Sequence, residues 1–177
     1  MTVTDDYLAN NAEYASNFKG PLPLPPSKHV AVLACMDARI DVYRVLGINE
    51  GESHVIRNAG GVVTDDAIRS LSASQRLLGT EEIVVVMHDG CGLRGASEDD
   101  FAQALAADGA MPTWRLGAFE DVEDTLRYSL ARLRSSLELP RREHIRGFVF
   151  DPESGTLREA LAASSQEGGA GTAEPDR

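Results

Sequence analysis

The chain has 177 residues, with 28 acidic against 17 basic side chains and a net charge of −11. Apolar residues make up 42% and charged ones 25%, the balance of a single globular domain long enough to bury a core. This charge disfavours nucleic acid and anionic membrane surfaces as partners, no apolar run approaches the ~20 residues that span a bilayer, and the N-terminus carries acids where a signal peptide carries bases, so a cytoplasmic protein is expected.

In chain order, a short helix is predicted from Thr4 to about Phe18, capped by Thr4, with Asp5 and Asp6 at its positive end. The GPLPLPPSK segment after it, with Pro21, Pro23, Pro25 and Pro26, forces an extended connector. Residues 1–27 thus read as a helix on an arm, which packs either on a partner subunit or on its own domain. Val30 to Ala34 is a continuous β-rich apolar run, as a buried parallel strand requires. A short helix follows at Val42 to Leu46, stopped by Gly47. His54 to Asn58 is a second strand, ending in Ala59-Gly60-Gly61.

Thr64 then caps a helix whose stripe is Ile68, Leu71 and Leu78, closed by Gly79. Ile83 to Met87 is a third strand. Ser97 to Asp100 opens a helix carrying Phe101 and Leu105. Val122, Leu126, Leu130, Leu133 and Leu137 mark a long amphipathic helix. Arg146 to Phe150, a turn at Asp151 to Gly155, and the TLREAL segment form a last strand and its return. Residues 162–177 have the composition of a disordered tail, leaving 1–161 as the domain. Strands alternating with helices predict an α/β fold: one domain with a mostly parallel central sheet flanked by helices. Ligands of such sheets gather at the carboxyl ends of the strands.

Two motifs sit at those ends. Cys35-Met36-Asp37-Ala38-Arg39 follows the first strand, and His88-Asp89-Gly90-Cys91-Gly92 follows the third. The chain has only these two cysteines, and in a reducing compartment metal binding or catalysis is a better reading than a disulfide. Cys35, His88 and Cys91 together make a Cys₂His set, the ligand pattern of a catalytic zinc with an open fourth position. Asp37 and Arg39 read either as a surface salt bridge or as a fixed dyad beside the metal. Gly60 and Gly61 read either as a plain turn or as bare backbone that lets a small ligand approach. His29 and His144 belong to solvated loops, and His54 is expected to be structural.

CMDAR, HVIRNAGG and HDGCG, in this order and spacing, resemble the β-class carbonic anhydrases of the compact bacterial and archaeal branch. The resemblance extends from about Thr4 to Leu161 and includes YASNF, DVYRVLGI and RGFVFD. It implies one Zn²⁺ per chain on Cys35, His88 and Cys91, with Asp37 and Arg39 as the catalytic dyad. It implies reversible hydration of carbon dioxide to bicarbonate and a proton by zinc-bound hydroxide, in a homodimer or higher homo-oligomer. Two thiolates leave the site nearly neutral, so activity is expected to rise through a pKa above about 7. The alternatives are hydrolysis of carbonyl sulfide or carbon disulfide, and a zinc-binding regulatory protein without turnover. Two residues depart from the common pattern: Met87 precedes the ligand histidine and Asp89 follows it. Asp89 is expected to point away from the metal.

Overall fold

The computed structural model describes residues 2–160 of the chain, so the tail from residue 162 lies outside the described residues. Helix α1 spans Val3–Asn17 and is followed by strand β1 (Val30–Cys35), α2 (Val42–Leu46) and β2 (Ser53–Asn58). Next come a single 3₁₀ turn (Ala59–Gly61), α3 (Asp65–Leu78), β3 (Glu82–His88) and α4 (Glu98–Ala107). The chain closes with α5 (Val122–Ser135), β4 (Ile145–Phe150) and β5 (Leu157–Glu159). Its one sheet has the order β2-β1-β3-β4-β5. The first four strands are parallel, and β5 returns antiparallel along β4.

The apolar runs explain why the sheet lies inside. Every residue of β1 from Ala31 to Cys35 is buried, as are Val85, Val86 and Met87 of β3. A parallel strand covered on both faces needs such a run. Helix α3 packs against β1 and β2 and buries Ala67, Ile68 and Leu71, while Leu78 is only half-buried. Helix α5 packs over β3 and β4 through Val122, Leu126, Leu130 and Leu133. Each fully buried leucine stabilises the fold by roughly 1.5–3 kcal/mol. Gly147 of β4 makes this close packing feasible, since a Cβ there would fall 2.9 Å from Leu126 Cδ1 and Leu130 Cδ1.

Two local expectations are corrected. The cap of α1 is Thr2, not Thr4: the Thr2 N–H donates to Asp5 Oδ2 at 2.6 Å, and the Asp5 N–H returns to the Thr2 carbonyl. The stripe of α5 stops at Leu133, because the helix ends at Ser135 and Leu137 lies beyond it, 80% exposed. The sequence leaves the packing of α1 open, and among the described residues the helix buries none of its own. Its long-range side-chain hydrogen bond is from Tyr14 Oη to Glu50 Oε1 at 2.8 Å.

The topology sets the site. From β1 the chain turns to β2 on one side, then crosses to β3 on the other. A crevice at such a switch point, outside the carboxyl ends, is where open α/β sheets bind ligands. Ala34 pairs with Val86, which brings Cys35 and His88 to neighbouring levels at that crevice.

Candidate metal centre

Cys35 ends β1 and His88 ends β3, and the turn after β3 carries Cys91 back toward both. All three are buried, at 3%, 1% and 8% exposure respectively. Their ligating atoms lie within 4.8 Å of one another. The two sulfurs are 4.0 Å apart and both cysteines are free. A disulfide requires about 2.05 Å. Tetrahedral zinc with Zn–S near 2.3 Å requires about 3.8 Å between sulfurs, so the spacing suits a shared ion.

Two further observations fit a metal. His88 Nε2 is buried without a hydrogen-bond partner, a position that is unfavourable unless something there accepts its lone pair. The other ring nitrogen, Nδ1, donates to the Asp89 carbonyl at 2.9 Å, which leaves Nε2 as the unprotonated atom. Around Cys35, burial pushes the thiol pKa up, but the His88 ring in its protonated form and the backbone N–H groups of Asp37 and Gly60 outweigh it and favour the thiolate when no cation is there. Cys91 is raised by its burial and by the neighbouring Cys35 sulfur, partly offset by the Leu93 N–H. A cation would reconcile the pair by stabilising both thiolates.

Asp37 stands beside this trio, with Oδ2 3.6 Å from His88 Nε2. Arg39 grips it through three contacts: Nε to Oδ1 at 3.0 Å, Nη2 to Oδ2 at 2.8 Å, and its own backbone N–H to Oδ1 at 2.9 Å. The Arg39 side chain holds the Asp37 carboxyl far below the usual carboxylate range. The same Nη2 also donates to the Gly90 carbonyl at 2.9 Å, tying the dyad to the turn that bears Cys91.

Gly60 and Gly61 occupy different surroundings. Gly61 (φ 67°) lies hard against the sheet: a Cβ there would fall 2.8 Å from both Cys35 N and Val86 O. Gly60 faces side chains instead, with Leu93, Phe119 and Val62 around the position of its missing Cβ. Because the adjoining Gly61 lies against Cys35 N, this apolar flank is close to the cluster. A groove of about 630 Å³ between α4 and residues 110–116, lined by Phe101, Leu105, Met111 and Trp114, contains none of these residues. Met87 is fully buried core. His54 is held by the Ser74 hydroxyl at 2.8 Å, while His29 and His144 are exposed.

Sequence reasoning missed two arginines. Arg57 donates to the Cys35 carbonyl at 3.0 and 2.8 Å and to the Asp37 carbonyl at 2.7 Å, bracing the loop that carries both. Its signal was a charge directly after the apolar pair Val55 and Ile56, near the carboxyl end of β2. Arg158 pairs with Asp89, whose carboxylate stays outside the converging ligand atoms. No short-range pattern announces that pair, because 69 residues separate its members.

A family profile described as carbonic anhydrase matches residues 30–144. β-Carbonic anhydrase 1 of Mycobacterium tuberculosis is 58% identical over 160 residues, covering 90% of this chain and 98% of that protein. A carbon disulfide hydrolase of Acidithiobacillus thiooxidans is 35% identical over 156 residues, covering 76% of this chain and 78% of that one. Among solved structures, a carbonic anhydrase from Streptococcus mutans superposes with a TM-score of 0.82 at 38% identity, over 91% of this chain and 99% of that chain.

Proposed function

The chain belongs to the β-class carbonic anhydrase family, and we propose that Cys35, His88 and Cys91 hold one zinc ion per chain while Asp37 and Arg39 position water for the reversible hydration of carbon dioxide to bicarbonate and a proton. The activity is that of a carbonate dehydratase, a lyase. The observation that carries the reading is the convergence of two thiol sulfurs and an unpartnered imidazole nitrogen at the carboxyl ends of β1 and β3. When bound, zinc supplies a Lewis acid that makes water nucleophilic near neutral pH.

The side chains do the rest. Asp37 is ionised and can only accept, so it takes a hydrogen bond from the reacting water and turns an oxygen lone pair toward the incoming carbon. Arg39 engages both carboxylate oxygens, which keeps Asp37 beside the ligand trio and not within it. Carbon dioxide is uncharged and apolar, and the flank formed by Gly60, Val62, Leu93 and Phe119 suits it. Gly61 contributes by letting the turn lie close to Cys35.

Substituting Cys91→Ser should remove most of the zinc and with it hydration, read by metal analysis and stopped-flow on the same sample. Full zinc retention would contradict the ligand assignment.

The proposal extends to assembly as a homodimer or larger homo-oligomer. A helix of about 12–15 residues is marginal in water on its own. Among the described residues, helix α1 buries nothing and exposes Tyr7 and Leu8, each at 66%. A second copy is the natural cover. No helix among the described residues is long and apolar enough to cross a membrane. Two thiols needed as ligands suit a reducing compartment, and the cytoplasm is the location we assign.

A further inference from the structure

The turn that carries His88 and Cys91 is fastened from two sides. On one, Arg39 holds the Gly90 carbonyl. On the other, Arg158 of β5 grips the Asp89 carboxylate with both terminal nitrogens: Nη2 to Oδ1 at 2.9 Å and Nη1 to Oδ2. The Arg158 Nε donates to Glu123 Oε1 of α5 at 3.3 Å, so the guanidinium is itself anchored. Its strand is fixed to β4, where Val149 pairs with Arg158 and Phe150 with Leu157. The Asp89 N–H donates to the Phe150 carbonyl at 3.0 Å.

Asp89 therefore has its amide and its side chain both held. That fixes the peptide it shares with Gly90, and the carbonyl of that peptide accepts from His88 Nδ1. A bidentate guanidinium–carboxylate pair is directional as well as strong, so it sets orientation where a lone point charge would not. The restraint matters here because, among the described residues, nothing lies within 4 Å of the position of the missing Cβ of Gly90 (φ 61°), leaving that part of the turn open.

Building on the proposed zinc site, we infer that Arg158 is a positioning residue for the metal centre: through Asp89 it holds the His88 ring so that Nε2 faces Cys35 and Cys91. The same ion pair neutralises an acid that sits next to a ligand. The Asp89 carbonyl makes the outer hydrogen bond of the ligand, a contact whose loss typically changes metal affinity about 10–100-fold, and Arg158 acts one step behind it, at the low end of that range.

The test is a double-mutant cycle on the full chain with Arg158→Ala, Asp89→Asn and the pair, using cobalt(II) as a spectroscopic probe and chelator competition for zinc affinity. Arg158→Ala should weaken zinc roughly tenfold and alter the cobalt ligand-field bands, with Arg158→Lys intermediate. In the Asp89→Asn background, removing Arg158 should change neither readout further. Unchanged bands and affinity in Arg158→Ala would overturn the inference. Equal losses in both backgrounds would also overturn it, since Arg158 would then act through the sheet edge and not through Asp89. If Arg158→Ala does not fold, Asp89→Asn alone decides: altered bands support the clamp and unaltered bands refute it. A parent chain without thiolate-to-cobalt absorption would overturn the zinc site itself, which separates that failure from failure of the clamp.

Discussion

Gly61 is where backbone conformation and the candidate metal site meet. Its φ of 67° is one that a side chain disfavours, and an added methyl would press on Cys35 N and Val86 O, which are backbone atoms unable to rotate away. Gly61→Ala should destabilise the fold by on the order of 3 kcal/mol. Gly90→Ala shares the unfavourable φ but meets open space, so it should lose only about 1–2 kcal/mol. Urea unfolding of both variants checks the contrast, and equal losses would contradict it. Cys35, His88 and Cys91 were legible in the sequence because thiols and imidazoles are scarce there and stood just past apolar strands. The clasp of Arg39 on Asp37 was legible too, being local. Arg57 and Arg158 were not, because each acts on a group brought near only by the fold.

Among the elements, strand and helix identities followed from apolar period and capping residues, while boundaries depended on partners. Glu82 belongs to β3 because it pairs with Val30, something its own chemistry does not announce. The N-terminal arm rejoins the domain through the loop before β2: the Ser27 and Lys28 N–H groups donate to the Gly51 and Glu52 carbonyls at 2.9 Å each. Glu52 locks that joint. Its carboxylate accepts from the Asn49 N–H and pairs with Lys28, both at 2.8 Å. The Asn49 N–H and then Lys28 lower its pKa to about 2 from 4.5. A depressed carboxyl pKa adds stability above its unfolded value and loses it as pH falls through the folded one. The parent should therefore lose stability between 4.5 and about 2 in excess of Glu52→Gln, and the two should converge at the acid end. Urea midpoints across that range measure it, and parallel curves for the two proteins would contradict it.

For the whole molecule, the question is what covers α1. Its sequence showed a helix on a proline arm and left two destinations open; among the described residues the helix finds no core to pack on. Deleting residues 1–18 should lower the oligomeric state seen by light scattering and reduce hydration in parallel. A truncated protein that assembles and turns over like the parent would contradict a role for α1 in assembly. One contrast concerns the entire site, because a relative 35% identical to this chain is a carbon disulfide hydrolase.

The most direct test of the function is therefore stopped-flow turnover of the zinc-loaded chain with carbon dioxide and, in parallel, with carbon disulfide. Hydration of carbon dioxide should be fast, should disappear when zinc is stripped and should return on its restoration, with carbon disulfide much slower. A zinc-loaded chain that leaves carbon dioxide hydration at the buffer rate, or that prefers carbon disulfide, would contradict the account.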